Sequence, residues 1–422
     1  MRPQWFRLDN AALIFPAVMR RGWNNAFRLS ATLSEPVDPA LLRQAAEDLR
    51  ARFPSFFVRL RRGFFWYYLE QTEAPVTVRE EYAYPLTHMS RRELGESCLR
   101  FFCYGNRLAV EFFHSVTDGS GGMVFLKNLC ARYLTLRFGI SVPAEDGIVA
   151  LSDPPQPEEL EDSFLRHCGQ RPLRSTLSAA VHLRGTVEPD GFRHLVCGTV
   201  ETAALRAAAQ GFGVSVTAFL AAVMAEAIIA MQRERTPLRA WRPVRITVPV
   251  DLRRLYGSAT LRNFALTLDV GVDPRLGDYD LPALCRQISH QLKAEAVPQK
   301  LSGRIAENVN PQRNPILRAM PLFIKTPVMR MVYAARGEKG GCLNVSNLGE
   351  TALPEVMRAY VRRFDFVVGV QLTYPNNCSV VSYGGATRIN MIRSIRQPEL
   401  ERRFFSRLVE LGVPVEIESN RR

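Results

Sequence analysis

The residues best suited to chemistry lie in one short run, His114-Ser115-Val116-Thr117-Asp118-Gly119. Ahead of it, Leu108, Val110 and Phe112 alternate with Ala109, Glu111 and Phe113, which predicts a strand whose pleat face ends in an imidazole. Histidine titrates near neutrality, so an imidazole at a strand mouth can take a proton from an alcohol or amine. The same placement also suits a structural histidine. Asp118 is too close in sequence to be an independent site and reads as a residue that pins the loop. A glycine-rich turn, Gly119-Ser120-Gly121-Gly122, is predicted to follow. Other catalytic schemes fit poorly. The chain has no Gly-x-Ser-x-Gly elbow, no Gly-x-x-x-x-Gly-Lys phosphate cradle and no dinucleotide fingerprint.

The elements that must hold these residues belong to a globular chain of mixed α/β character. Hydrophobic residues make up 47% of the 422 and charged ones 23%, a balance that excludes disorder and leaves room for two domains. The net charge is +14, and lysine occurs only at 127, 293, 300, 325 and 339, so the basic residues are nearly all arginine. Such a chain can meet nucleic acid, an anionic membrane or an acidic partner, or can simply have an arginine-rich surface. No nucleic-acid-binding signature, zinc-finger spacing or long basic tail is present, so no nucleic-acid role is expected.

Arg2 and Arg7 precede no long apolar segment, so no signal peptide is expected. The longest apolar stretch, Val214 to Met231, contains Glu226 and opens with Ser215 and Thr217. It is expected as a buried helix and not as a transmembrane segment. Eight cysteines without a Cys-x-x-Cys pair imply reduced thiols and a cytoplasmic setting. The His167-Cys168 pair has no second pair to complete a metal site, and no metal is expected.

Along the first half, residues 26 to 69 read as strand, helix, strand. Asp38-Pro39 opens the helix, Leu41, Leu42, Ala45 and Leu49 give it one apolar face, and Pro54 stops it. Arg62-Gly63 and Tyr104-Gly105-Asn106 are hairpin signals. After the glycine turn, Leu126, Leu129, Cys130 and Tyr133 predict an amphipathic helix closed by Gly139. Residues 141 to 175 change character, with Pro143, Pro154, Pro155 and Pro157 among acidic residues, and predict a linker or crossover. The second half starts again with a strand at 194–200, helices at 203–211 and 217–232, and a strand at 245–251. Strands near 364–372 and 379–390 and a helix at 398–411 follow. The basic segment Arg313 to Arg336 interleaves Arg318, Lys325 and Arg330 with apolar residues. It reads as an ordinary amphipathic helix, though it also suits an acidic carrier protein, CoA phosphates or a membrane surface.

Taken in order, several segments resemble the condensation-domain and chloramphenicol-acetyltransferase superfamily, and within it the bacterial alcohol-acetyltransferase-like branch. They are Leu8-Asp9-Asn10-Ala11-Ala12 with Ile14-Phe15-Pro16, and Phe53-Pro54, Arg59-Leu60 and Gly63-Phe64-Phe65-Trp66. The run His114-x-x-x-Asp118-Gly119 resembles the superfamily's active-site motif. Val214 to Leu220, Val248 to Arg253, Arg262-Asn263-Phe264 and Ser346-Asn347-Leu348-Gly349 resemble later segments. The superfamily often has two adjacent histidines, and the first is Phe113 here.

The resemblance implies a pseudo-dimer of two acetyltransferase-like lobes, residues 1–165 and 166–422, with a central tunnel. It implies His114 as general base, Gly119 as a donor to the developing oxyanion, and Asp118 paired with Arg253 of the second lobe. Ser346 and Asn347 would line the tunnel and donate to the substrate, or simply cap a loop, and Asn263 would be structural. The implied co-substrate is acyl-CoA or a phosphopantetheinyl carrier, with no bound cofactor. The partners would be an alcohol or amine acceptor and, for condensation-type transfer, an acidic acyl carrier protein. A non-catalytic binding module of the same fold is the reading of another class.

Overall fold

A computed structural model describes residues 4–19, 23, 25–82, 84–173, 177–371 and 373–420. Arg2, Leu372 and the last residues of the 141–175 segment lie outside them. The described strands form three sheets. In the five-stranded sheet the order is Val361–Val368, Ala26–Leu33, Arg107–Phe113, Leu99–Tyr104 and Val78–Glu80. Only the last strand runs parallel to its neighbour. In the seven-stranded sheet the order is Ala265–Val272, Val244–Asp251, Leu343–Glu350, Asn376–Tyr383, Ala386–Arg393, His194–Glu201 and Glu416–Ser419. Trp5–Arg7, Tyr67–Gln71 and Val58–Arg62 form a small third sheet, in which the Arg62-Gly63 break is the hairpin tip.

Local signals in the sequence account for most boundaries. The Asp38 carboxylate accepts from the N–H groups of Ala40 and Leu41 at 2.8 and 3.3 Å, and Pro39 opens the helix Pro39–Asp48. Gly139 adopts φ 69°, the left-handed conformation that closes Gly119–Phe138 without a Cβ penalty. The apolar stretch at 214–231 is the core helix Val216–Arg235, capped by the Ser215 hydroxyl. It is long and apolar enough to cross a membrane, but 72% of its apolar window is buried inside the protein.

Several boundaries differ from expectation. The predicted glycine turn is the first turn of the helix Gly119–Phe138, because the Asp118 side chain caps it and lets the small residues stack closely. The 141–175 segment carries the short helices Pro157–Leu160 and Ser163–Arg166. It is packed, since both Glu159 oxygens meet the Arg52 guanidinium at 2.7 Å. The segment from Arg313 to Arg336 is not one helix: Pro315–Ala319 and Leu322–Arg336 follow Pro298–Arg313, with the prolines setting the breaks.

The largest departure concerns the strand expected near 364. It spans Val361–Val368 and pairs antiparallel with Ala26–Leu33, so the second half donates an edge strand to the first half's sheet. Two cores result. One gathers Phe27, Phe112 and Phe125 with Leu353, Met357 and Phe364 from the donated segment. The other surrounds the helix Val216–Arg235 with Ile246, Phe264 and Phe404. Phe366, 2% exposed, packs edge-on against Phe27 with centroids 6.2 Å apart. Phe366→Ala should therefore weaken the attachment of the two halves and destabilise the fold by about 3–5 kcal/mol. Chemical denaturation curves matching the parent's would contradict this.

Candidate active site

The strand Arg107–Phe113 delivers His114 to the floor of a cavity of about 410 Å³. Residues of both halves line it, including Phe15 and Gly119 from the first and Asn263 and Ser346 from the second. The His114 ring sits between Phe15 and Phe27, with centroids 5.0 and 5.1 Å away. These rings hold the imidazole at one orientation. Its Nδ1 lies 3.0 Å from Oδ1 of Asn263.

The tautomer follows from the partners of Asn263. Its amide nitrogen donates to the Asp9 carboxylate at 3.0 Å and to the His114 carbonyl at 2.9 Å. A carbonyl oxygen can only accept, so the amide NH₂ must face it and Oδ1 must face the ring. Nδ1 then carries the proton, which makes Nε2 the basic nitrogen of the neutral ring. Asp9 is fully buried, and burial pushes its carboxyl above the usual carboxylate range against the pull of Arg262 and Asn263. The His114 carbonyl fixes the amide whichever form Asp9 takes. Asn263, expected to be structural, thus contacts the imidazole directly. The only sequence hint was its place in Arg262-Asn263-Phe264. For Asp9 the hint was its place in Leu8-Asp9-Asn10-Ala11-Ala12, which assigned it no role.

Asp118 faces the other way, into the protein. Arg253 grips it with two parallel hydrogen bonds of 3.0 Å each. The backbone N–H groups of Phe264 and Gly121 add bonds of 2.8 and 3.1 Å. Burial alone would raise this carboxyl, but Arg253 and the two backbone donors hold it below its ordinary value. Arg253 spends its remaining donors on the carbonyls of Thr260 and Arg262 and on Asp251. All five guanidinium N–H groups are then satisfied. Arg253 lies on the short helix Arg253–Tyr256 and not on the preceding strand, while Arg254 is exposed.

The glycines divide the remaining work. A Cβ on Gly121 would lie 2.3 Å from the Leu261 carbonyl oxygen and 2.2 Å from the Thr117 hydroxyl, so only glycine permits this approach of the two halves. At Gly119 a Cβ would meet the side chain of Leu348 at 2.8 Å, a milder clash. Gly119 and Ser120 open the helix, and both line the cavity. Ser346 and Asn347 line it as well. The Asn347 amide is already engaged with the Thr217 hydroxyl at 3.1 Å and with the Gly349 N–H at 2.8 Å. Phe113, at the position of the absent first histidine, is fully buried. Among the described residues, no group of three or more His, Cys, Asp or Glu could hold a metal ion.

No protein-family model matches the sequence, and no curated protein matches it. Solved structures do share its fold. The chain is similar over 97% of its length to polyketide synthase associated protein 5 from Mycobacterium tuberculosis, covering 98% of that chain, with a TM-score of 0.63 and 17% identity. It is similar over 98% of its length to F. graminearum TRI101 complexed with ethyl coenzyme A, covering 99% of that chain, with a TM-score of 0.62 and 11% identity. The first condensation domain of the CDA synthetase has a TM-score of 0.61 and 16% identity over 98% of this chain and 96% of that one. The architecture is therefore that of two-lobed condensation and acyltransferase structures over nearly the whole chain.

Asp118→Asn should remove the charge that neutralises Arg253. Asp251 still faces Arg253, so the cost should fall near the low end of roughly 3–5 kcal/mol. The carboxyl's value is lowered on folding. Its contribution is thus complete above the unfolded value of about 4 and is lost as pH falls through the lower folded value. The variant should melt below the parent at pH 7 and approach it in acid. Equal melting at both pH values would refute the clamp's contribution.

Proposed function

We propose that the chain is an acyltransferase that moves an acyl group from a CoA thioester to an alcohol or amine. The observation that carries the reading is the His114 imidazole, its Nδ1 tied to Asn263 and the residue lining a cavity shared by both halves. The resemblance of the motif run and the fold shared with TRI101, a structure of which holds ethyl coenzyme A, support it. We propose the division into lobes at 1–165 and 166–422, with the strand Val361–Val368 reaching back to the first. The eight unbridged cysteines suit a reducing cytoplasm.

In this reading the acceptor O–H or N–H points at Nε2. His114 takes that proton as the acceptor's heteroatom attacks the thioester carbonyl carbon. The carbonyl oxygen becomes an oxyanion near the start of the helix Gly119–Phe138, where the Gly119 N–H and the helix dipole favour negative charge. Collapse re-forms the carbonyl and breaks the carbon–sulfur bond. The imidazolium returns its proton to the departing thiolate, so the enzyme ends as it began. Asp118 and Arg253 make no contact with the reacting atoms in this scheme. They fix the backbone that carries His114 and Gly119. Ser346 is left to meet the substrate, and Asn347 to shape the wall. Transfer from a phosphopantetheinyl carrier is the second reading, favoured by the fold shared with a condensation domain.

The test is release of free thiol from acetyl-CoA in the presence of a panel of alcohols and amines. His114→Ala should lower turnover at least a hundredfold, the low end of the 10²–10⁴ that a general base contributes, while melting like the parent. Turnover close to the parent's would sink the assignment. Asn263→Ala should lower kcat about a hundredfold by freeing the ring, a cost typical of a misplaced reacting group. It should also shift the pH–rate profile, whereas a purely structural asparagine would leave the profile in place.

A further inference from the structure

Residues 308–337 contain no Asp or Glu, yet they carry Arg313, Arg318, Lys325, Arg330 and Arg336. The helix Leu322–Arg336 within this segment is turned inside out for a surface helix. Lys325 and Arg330 point inward. Lys325 is buried, its Nζ 3.4 Å above the Trp66 ring, and it donates to the Phe65 carbonyl at 3.1 Å. Arg330 donates to the Ala17 carbonyl at 2.6 Å. Several of its large apolar groups point outward instead. Phe323 is 60% exposed, Met331 66% and Val332 50%, with Ile324 and Val328 also exposed. Together with the exposed Pro327 they recur at i, i+1, i+4, i+5, i+8 and i+9, which is one continuous helical stripe.

The hairpin tip extends the stripe. Leu322 N–H donates to the Phe64 carbonyl at 2.8 Å, and Phe64 itself is 66% exposed. Exposed arginines flank these elements in the sequence at Arg62, Arg313 and Arg318. An apolar helical stripe in a basic segment with no carboxylate matches a bilayer whose headgroups are negative and whose acyl layer accepts large side chains. An acidic carrier protein would satisfy the arginines, but a long stripe of large side chains suits an acyl layer better.

We propose that the helix Leu322–Arg336 and the hairpin tip at Phe64 dock on an anionic lipid surface. The opposite side of the same helix carries Tyr333, which stacks on Trp23 and lines the cavity. Docking therefore sets the cavity beside the lipid, and a lipid-borne alcohol or amine can enter from it. That last step rests on the acyltransfer reading, but the docking does not.

Vesicle flotation of the whole chain tests it without turnover. The protein should float with equimolar phosphatidylcholine–phosphatidylglycerol vesicles, less so at high salt, and poorly with phosphatidylcholine alone. The double variant Phe323→Asp with Met331→Asp should lose at least tenfold in partitioning. It should keep the parent's melting and its thiol release with acetyl-CoA and a water-soluble alcohol. Arg313→Glu with Arg318→Glu should weaken binding to the anionic vesicles only. The proposal falls if the parent fails to float, or if the Phe323 and Met331 double variant floats like it. It falls equally if that double variant instead dissociates a dimer or abolishes capture of a phosphopantetheinylated carrier protein while vesicles are ignored. Loss of acyl transfer with intact flotation would overturn only the reading of function.

Discussion

The Asp118–Arg253 clamp ties the two halves of the molecule together at the site. Asp118 caps the helix Gly119–Phe138 from the first half, and its second oxygen accepts the Phe264 N–H from the second half. Arg253 in turn gathers the carbonyls of Thr260 and Arg262. One buried ion pair thus fixes a helix start, a loop and the seam between the lobes. Removing two charges from water is costly, and this pair is tolerated because every guanidinium hydrogen and both carboxylate oxygens are engaged. The pair brings specificity of arrangement, since few other placements of the two halves would satisfy so many donors at once.

The same seam sets the chemistry of His114. The histidine arrives on a strand of the first sheet, but the residue that selects its tautomer, Asn263, stands next to Phe264 on the loop that the clamp holds. Thr117 bonds the Leu261 carbonyl at 2.6 Å, and Gly121 approaches the same carbonyl too closely for any side chain. Imidazole orientation and lobe docking are thus one packing problem. The donated strand Val361–Val368 contributes from the opposite side. Phe366 lines the cavity and also packs on Phe27, which in turn faces the His114 ring.

The outer surface obeys a different constraint. Elsewhere many arginines meet carboxylates, as in the buried Arg393–Glu401 pair and the Arg28 and Arg100 contacts to Glu111. The acid-free stretch around Leu322–Arg336 cannot do so. Lys325 and Arg330 turn to carbonyls and to the Trp66 ring, and Phe323, Val328 and Met331 are left to the outside. That inversion is what distinguishes this helix from the amphipathic core helices elsewhere.

Local chemistry was legible in the sequence wherever a signal acts over a few residues. Asp38-Pro39, Gly139, Arg62-Gly63 and the alternation from Leu108 to Phe113 fixed helix starts, stops and strands. The spacing from His114 to Asp118 and the distant Arg253 were readable through a family resemblance that runs the length of the chain. Tertiary structure decided the rest, because the determining contacts join residues far apart along the chain. Nothing near Val361 says that it will leave its own sheet to pair with Leu33. Nothing near Asn263 says that its amide will face an imidazole 149 positions away. The outward turn of Phe323 and Met331 was hidden for the same reason. Helical spacing reveals an apolar face, but only packing against Trp66, Ala17 and Trp23 decides which face the protein keeps for itself.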